Sequence, residues 1–157
     1  MNRFRVGLVV VVLFSAWSAM AQDKPADTMQ LLKEKVKADK KLVVAVNVGL
    51  TETEAKEFWP IYDGYQKDLE AINQRLGALI QSYAAEYRGN TLTDPKAEKL
   101  LAEAIAIEDS EVVLKKLYVP KLSKVLPAKK VARYIQIENK IRAVLKYELA
   151  RQIPLAQ

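Results

Sequence analysis

The sequence contains no cysteine and no histidine among its 157 residues. The absence of cysteine excludes disulfides, thiolate metal sites and cysteine nucleophiles, and the absence of histidine removes the commonest general base and a common transition-metal ligand. Glycine is scarce, with 5 residues, and neither phosphate-binding motif, G-x-x-x-x-G-K-[ST] or G-x-G-x-x-G, occurs. The sequence therefore predicts a protein that is not an enzyme and that uses no cofactor and no metal.

The start of the chain has the three-part pattern of a secretory signal peptide. Two arginines supply the positive charge, an apolar run follows over residues 6–14, and Ala19-Met20-Ala21 is a small-x-small cleavage pattern. The uncharged stretch is shorter than the roughly 20 residues that span a membrane. We expect cleavage after Ala21, export to the periplasm, and a single all-helical domain over residues 22–157.

Apolar spacing predicts four helices in the exported chain. The first covers about residues 28–48, although the β-branched residues at 42–48 also fit a short strand. The second runs from residue 51 to about 88 and carries a near-heptad apolar seam. The third runs from residue 93 or 94 to about 125, and the fourth from 127 to 153. Together they predict an all-α fold, an elongated four-helix bundle of hairpin type with long kinked helices.

The boundary before the second helix is the clearest in the sequence. Gly49 suits the left-handed conformation that ends a helix, and Thr51 with Glu54 fits a capping box. Pro60 removes a backbone donor inside the second helix, so we expect a kink near Trp59. The seam of the second helix comprises Phe58, Tyr62, Tyr65, Leu69, Ile72, Leu76, Leu79, Tyr83 and Tyr87. The inward side chains of the fourth helix are expected to be Val131, Tyr134, Ile137, Ile141, Leu145 and Leu149.

Positive charge is concentrated at the C-terminal end. Residues 112–157 hold 11 basic and 2 acidic side chains, whereas residues 51–111 hold 6 basic and 13 acidic ones. Two interpretations stay open. The basic segment packs against the acidic helices, or it forms an exposed surface that attracts acidic unfolded segments, anionic lipid or envelope polymers. Because the protein is expected to be exported, nucleic acid is not an expected partner.

Two carboxylates, those of Glu111 and Glu138, fall on the apolar seams, where an unpaired charge is costly. The expected partners are Tyr118, Tyr134, Lys115 and Arg142. Glu108 and Asp109 lie beside Glu111 on the third helix, but carboxylate metal sites in helical bundles usually include histidine. We therefore interpret these acids as structural.

A family resemblance rests on Leu50-Thr51-Glu52-Thr53-Glu54, which opens the long second helix. Together with the signal peptide and the all-helical chain, this segment resembles the LTxxQ-motif family of small periplasmic proteins, the Spy/CpxP-like chaperones and envelope-stress proteins. Glu54 replaces the glutamine of the motif, and the second match, Leu92-Thr93-Asp94-Pro95-Lys96, ends in lysine. Residues 36–59 and 126–141 also resemble a group of uncharacterised exported bacterial proteins.

The resemblance implies a dimer that forms a curved helical cradle and binds unfolded or partly folded envelope proteins without ATP; contact with a membrane surface is compatible with it. The zinc-responsive members of the family use His-rich segments, so no zinc role carries over. The residues expected to attract clients are Lys121, Lys129, Lys130 and Arg133, with Trp59 and Tyr62 as apolar contacts. The alternative is a non-enzymatic regulatory or structural module that docks on one specific envelope protein.

Overall fold

The computed structural model describes residues 39–156, which form four helices joined by short turns. The described part of α1 covers residues 39–48; α2 is Glu52–Gly89, α3 is Asp94–Leu122 and α4 is Ala128–Gln152. No strand occurs within residues 39–156. The all-α helical bundle is therefore confirmed, and residues 42–48 are helical. The signal peptide and the first part of the first helix lie outside the described residues.

A capping box separates α1 from α2. Gly49 has a φ of 69°, in the left-handed region that favours glycine. Thr51 Oγ1 accepts a hydrogen bond from the Glu54 backbone N–H at 3.3 Å, and Glu54 Oε2 accepts one from the Thr51 backbone N–H at 2.7 Å. The predicted capping box is thus confirmed. From this start α2 continues through Pro60 for 38 residues, which corresponds to ~57 Å.

The turns before and after α3 are stabilised by different interactions. Asn90, with a left-handed φ of 51°, ends α2, and the Glu86 side chain accepts hydrogen bonds from Thr91 and Lys96 across the turn. At the other end, α3 stops at Leu122, three residues before the predicted end. The chain turns there because Leu126 is drawn into the core, where 5% of its surface remains exposed.

Contacts between side chains define the helix directions. On α2, Asp68 accepts a hydrogen bond from Tyr118 of α3, and further along α2 Arg75 pairs with Glu103 of α3, so these two helices run antiparallel. The backbones of α2 and α3 approach each other closely, whereas α4 reaches α2 through long side chains. Helix α4 runs parallel to α2.

The hydrophobic core fills the half of the bundle that contains α1. Its aromatic rings meet edge to face, for example Phe58 with Tyr134 at 5.2 Å between ring centroids. No described residue beyond Ile72 on α2, before Ile107 on α3 or after residue 138 on α4 is buried. Leu145, predicted to face inward, is 42% exposed, because α4 is thinly packed at that end. The fully buried large side chains are Tyr134, Phe58, Ile107, Leu122, Val44 and Val48.

Candidate functional site

The two aromatic residues expected to contact clients belong to the core side of α2. Tyr62 is 3% exposed and packs between Phe58 and Tyr134, so it offers no surface to a client. Trp59 is half-buried; its ring stacks edge to face on Tyr62 at 5.3 Å, and Lys41 lies over it at 4.8 Å from the centroid. The structure therefore removes Tyr62 from the expected contact surface and leaves only part of the Trp59 ring accessible.

The four basic residues expected to attract clients lie near the α3–α4 turn, but they differ in their surroundings. Lys130 forms an ion pair with Glu54, which is also part of the α2 capping box. Lys121 is exposed and lies over the Tyr118 ring at 4.2 Å from the centroid. Lys129 and Arg133 are exposed and form no ion pair with any residue in the described range. Three of the four thus contribute accessible positive charge.

The pairing of charges supports both interpretations of the basic segment. Toward the neighbouring helices, Lys130 pairs with Glu54 and Arg142 pairs with Glu111. A further group of basic side chains, toward the α3–α4 turn, has no ion-pair partner within the described chain. That group, here called the basic cluster, is Lys116, Lys121, Lys124, Lys129 and Arg133.

Glu138, one of the two seam carboxylates, is 4% exposed and is shared by three helices. Its Oε2 accepts a hydrogen bond from Lys40 of α1 at 2.8 Å, and its Oε1 accepts one from Gln66 of α2 at 2.9 Å. Gln66 also lies within hydrogen-bonding reach of the Tyr134 hydroxyl, at 3.4 Å. Lys40 was not predicted as a partner of Glu138. Its helix, α1, is distant from α4 in the sequence, and apolar spacing does not show which residues of the two helices lie side by side.

Glu111, the second seam carboxylate, is paired with Arg142, as the sequence predicts among its alternatives. Lys146 adds a second ion pair at 3.2 Å, and Asn73 of α2 accepts a hydrogen bond from the Arg142 guanidinium. Burial raises the pKa of Glu111, but the hydrogen bonds and charges of Arg142 and Lys146 outweigh it, so the pKa lies below its ordinary value. Glu111 is therefore part of an ion-pair and hydrogen-bond network that links α2, α3 and α4.

Four tyrosine hydroxyls lie near the buried carboxylates or hydrogen-bond to an acidic side chain. Burial, the charge of Glu138 and further charges nearby raise the pKa of Tyr62, Tyr65 and Tyr134. Burial and the hydrogen bond to Asp68 raise the pKa of Tyr118 to about 12. All four are therefore held in the neutral form.

An apolar groove lies at the opposite end of the α2–α3 pair from the basic cluster. Its volume is about 630 Å³, within the range of ligand-binding pockets. Glu98 is the only charged residue that lines it within the described chain. The walls from α2 are Leu76, Leu79, Ile80 and Tyr83, and those from α3 and the preceding turn are Leu92, Ala97, Leu100, Leu101 and Ala104.

The groove exists because both helices carry more apolar side chains than one seam needs. On α2, Leu79 is followed directly by Ile80, and on α3, Leu100 is followed by Leu101. One residue of each such pair faces the partner helix while the other widens the apolar stripe. Leu101 is 62% exposed as a result. These adjacent pairs are the signal in the sequence that indicates the groove, and a single apolar seam on each helix does not contain it.

Apolar surface continues along the outer sides of α3 beyond the groove. The exposed side chains there range from 48% to 62% exposed. Their spacing along the helix places three of them, Leu101, Ile105 and Val112, on one side of α3 and the other two on a different side. The whole set is Leu101, Ile105, Val112, Val113 and Leu117.

Residues 39–156 contain no group of three or more acidic side chains placed to hold a metal ion. None of the helices in that range is long and apolar enough to cross a membrane. Every buried polar side-chain atom of the described residues has a hydrogen-bond partner. The groove and the basic cluster are the candidate binding surfaces of the described chain.

No protein-family model, no curated protein and no solved structure matches this chain.

Proposed function

We propose that this protein is an exported, ATP-independent chaperone that binds unfolded or partly folded envelope proteins. The observation that carries the proposal is the apolar groove of about 630 Å³ between α2 and α3, which holds a single charged lining residue among those described. Such a groove suits the apolar side chains that an unfolded chain exposes. The family resemblance of residues 50–54 supports the same function, and the sequence contains no phosphate-binding motif for ATP.

The basic cluster supports the first step of the proposed mechanism, the encounter with the client. Exposed positive charge attracts acidic segments over a distance of about 8–10 Å at ordinary salt, and it speeds encounter more than it strengthens the final complex. The groove then holds apolar side chains by burial. Because the two surfaces lie toward opposite ends of α3, a client must extend along the helix pair to contact both.

A light-scattering assay tests the function. Two unrelated denatured proteins are diluted into buffer with and without the exported form of the protein, at low and at high salt. We expect suppression of aggregation for both clients near stoichiometric ratios, and weaker suppression at high salt. Suppression of neither would overturn the proposal in favour of docking on one specific envelope protein, which a pull-down from envelope extracts then identifies.

The proposed location and assembly have their own tests. Cell fractionation should place the protein in the periplasm, and N-terminal sequencing of that material should begin at Gln22. A protein retained in the cytoplasm with an intact N-terminus would contradict export. The dimer is proposed on the family resemblance alone, and a solution mass of one chain by light scattering would contradict it.

A further inference from the structure

The C-terminal segment, residues 153–156, lies along one edge of the apolar groove. Ile153 and Ala156 line the groove, whereas Leu155 between them is 87% exposed. Ile153 has an extended backbone, with φ of −91° and ψ of 115°, and Pro154 cannot continue the helix because it lacks an N–H. The chain therefore leaves the helix and lies against the groove, with Ile153 and Ala156 toward it and Leu155 away from it.

One side-chain hydrogen bond holds this segment. The Tyr83 hydroxyl, on the groove wall, donates to the Pro154 carbonyl oxygen at 2.9 Å. Residues 154–156 make no other hydrogen bond to the described chain. A single exposed hydrogen bond contributes little net free energy, so the segment is easily displaced.

We propose that the groove binds an extended apolar peptide segment and that residues 153–156 are an intramolecular competitor which such a peptide displaces. The proposal rests on the proposed function and names what the groove recognises. The chain's own Ile-Pro-Leu-Ala sequence is one example of a peptide that lies against the groove. Deletion of this competitor raises the fraction of groove that is open, and the affinity for a peptide rises in proportion.

The chemistry of the groove favours a peptide over a lipid. The Tyr83 hydroxyl donates to a peptide carbonyl, an acceptor that repeats along any extended chain and that an alkyl chain lacks. No basic residue lines the groove within the described chain, so nothing there pairs with a phosphate or carboxylate headgroup. Its one charged residue, Glu98, would repel such a headgroup and would attract a basic residue beside the apolar part of a peptide.

Two measurements test the proposal. The probe is a fluorescein-labelled peptide that carries two lysines, the sequence Ile-Pro-Leu-Ala and two further leucines. Fluorescence anisotropy compares its affinity for the full exported chain with that for a variant ending after Gln152, which lacks the competitor. We expect the truncated variant to bind about three- to tenfold more tightly. A Leu101→Ser substitution should weaken binding to both forms, whereas Leu42→Ser, at 63% exposure on α1, should not.

The second measurement observes the segment itself. Because the chain has no cysteine, Leu155→Cys gives one labelling position on a side chain that is 87% exposed. Unlabelled peptide should lower the anisotropy of a dye at this position, and Tyr83→Phe should lower it without peptide. Tyr147→Phe, which changes an exposed ring on α4, is the matched control and should leave it unchanged.

The outcomes separate this proposal from the chaperone function. If the full and truncated chains bind the peptide with equal affinity, residues 153–156 are not a competitor, even if the protein suppresses aggregation. If the peptide displaces residues 153–156 but the protein does not suppress aggregation, the chaperone function is overturned and this inference stands. Displacement of residues 153–156 by oleate but not by peptide would overturn the assignment of a peptide as the ligand. A dimer that Leu101→Ser dissociates would also overturn it, because a second copy of the chain would then occupy the groove.

Discussion

Lys40 on α1 donates a hydrogen bond to Glu138 on α4, with Nζ and Oε2 2.8 Å apart, although the two residues are 98 positions apart in the sequence. Their side chains are 16% and 3% exposed, so the pair lies largely out of water. Gln66 of α2 donates to the other oxygen of the same carboxylate at 2.9 Å. Three helices are therefore fixed relative to one another at a single side chain, which sets how α1 and α4 align with α2.

Loss of Lys40 should destabilise the fold markedly. Lys40→Met leaves the Glu138 carboxylate buried with no ion-pair partner among the described residues, and removal of one partner of a buried pair typically costs about 3 kcal/mol or more. We expect a decrease of about 3 kcal/mol in the free energy of unfolding, measured by urea denaturation followed by circular dichroism.

Two further variants make this result specific. Lys41→Met removes an ion pair with Asp63 whose side chains are 44% and 61% exposed, so it should cost about 1 kcal/mol or less. Adding Glu138→Gln to Lys40→Met removes the unpaired charge and should restore most of the lost stability. If Lys40→Met costs no more than Lys41→Met, the ion pair does not stabilise the bundle.

The buried tyrosines should make the fold sensitive to alkali. Burial and nearby carboxylates raise the pKa of Tyr62, Tyr65 and Tyr134 above the ordinary value of about 10. The stabilisation from these neutral hydroxyls is complete below pH ~10 and is lost above it, because the unfolded chain then releases protons that the folded chain retains. Urea denaturation at pH values from 9 upward should show a steep decline in the free energy of unfolding.

Single substitutions isolate the contribution of one tyrosine to the alkaline decline. Tyr134→Phe should make the alkaline decline shallower by up to about 1.4 kcal/mol per pH unit. Tyr147→Phe changes a ring that is 63% exposed and should reproduce the slope of the unmodified protein. An unchanged slope for Tyr134→Phe would show that its hydroxyl is accessible to solvent before unfolding.

The basic cluster should control the rate of client association. A variant with Lys121, Lys129 and Arg133 replaced by Ser removes exposed charges with no ion-pair partner in the described chain, so client association should slow and its salt dependence should flatten. Stopped-flow fluorescence with a labelled denatured client measures both. Lys130→Ser is the control, because that lysine is already neutralised by Glu54. Equal effects of the triple and single variants would contradict electrostatic attraction by the cluster.

The groove should control how strongly a client is held. Leu101→Ser removes an apolar contact from the groove wall and should raise the client dissociation constant about fivefold, an effect near 1 kcal/mol. Leu42→Ser changes the same residue type at nearly the same exposure, 63% against 62%, and should have no effect. Isothermal titration with a permanently unfolded client measures the constants. Parallel losses for the two variants would place the binding surface elsewhere.

Local sequence signals predicted most of the fold. The ends of α2 follow from Thr51, Glu54 and the Gly89-Asn90 pair, because capping is an interaction between residues close in sequence. The predicted end of α3 lies three residues beyond the observed one, because the burial of Leu126 is a tertiary contact that local sequence does not report. Leu145 was assigned to the core from its spacing, but burial also needs a helix opposite, which spacing does not report.

The candidate site was less accessible to sequence reasoning. Pairing of Glu111 with Arg142 was among the expected alternatives because both face the same seam. The partner of Glu138, Lys40, depends on the register of two helices far apart in the chain, and single-sequence patterns carry no such information. Tyr62 illustrates the same limit: an aromatic at helical spacing usually belongs to the core but also fits a contact surface, and its 3% exposure decides for the core.

The absence of buried residues beyond Ile72 and before Ile107, among those described, gives the α2–α3 hairpin two ends of unequal local stability. Amide hydrogens near the Asn90 turn should exchange by local opening well below the free energy of global unfolding, while those around Tyr134 exchange only when the bundle unfolds. The groove lies in the end that opens. Its walls can therefore separate to admit side chains of different size while the aromatic end stays folded and keeps the helices assembled.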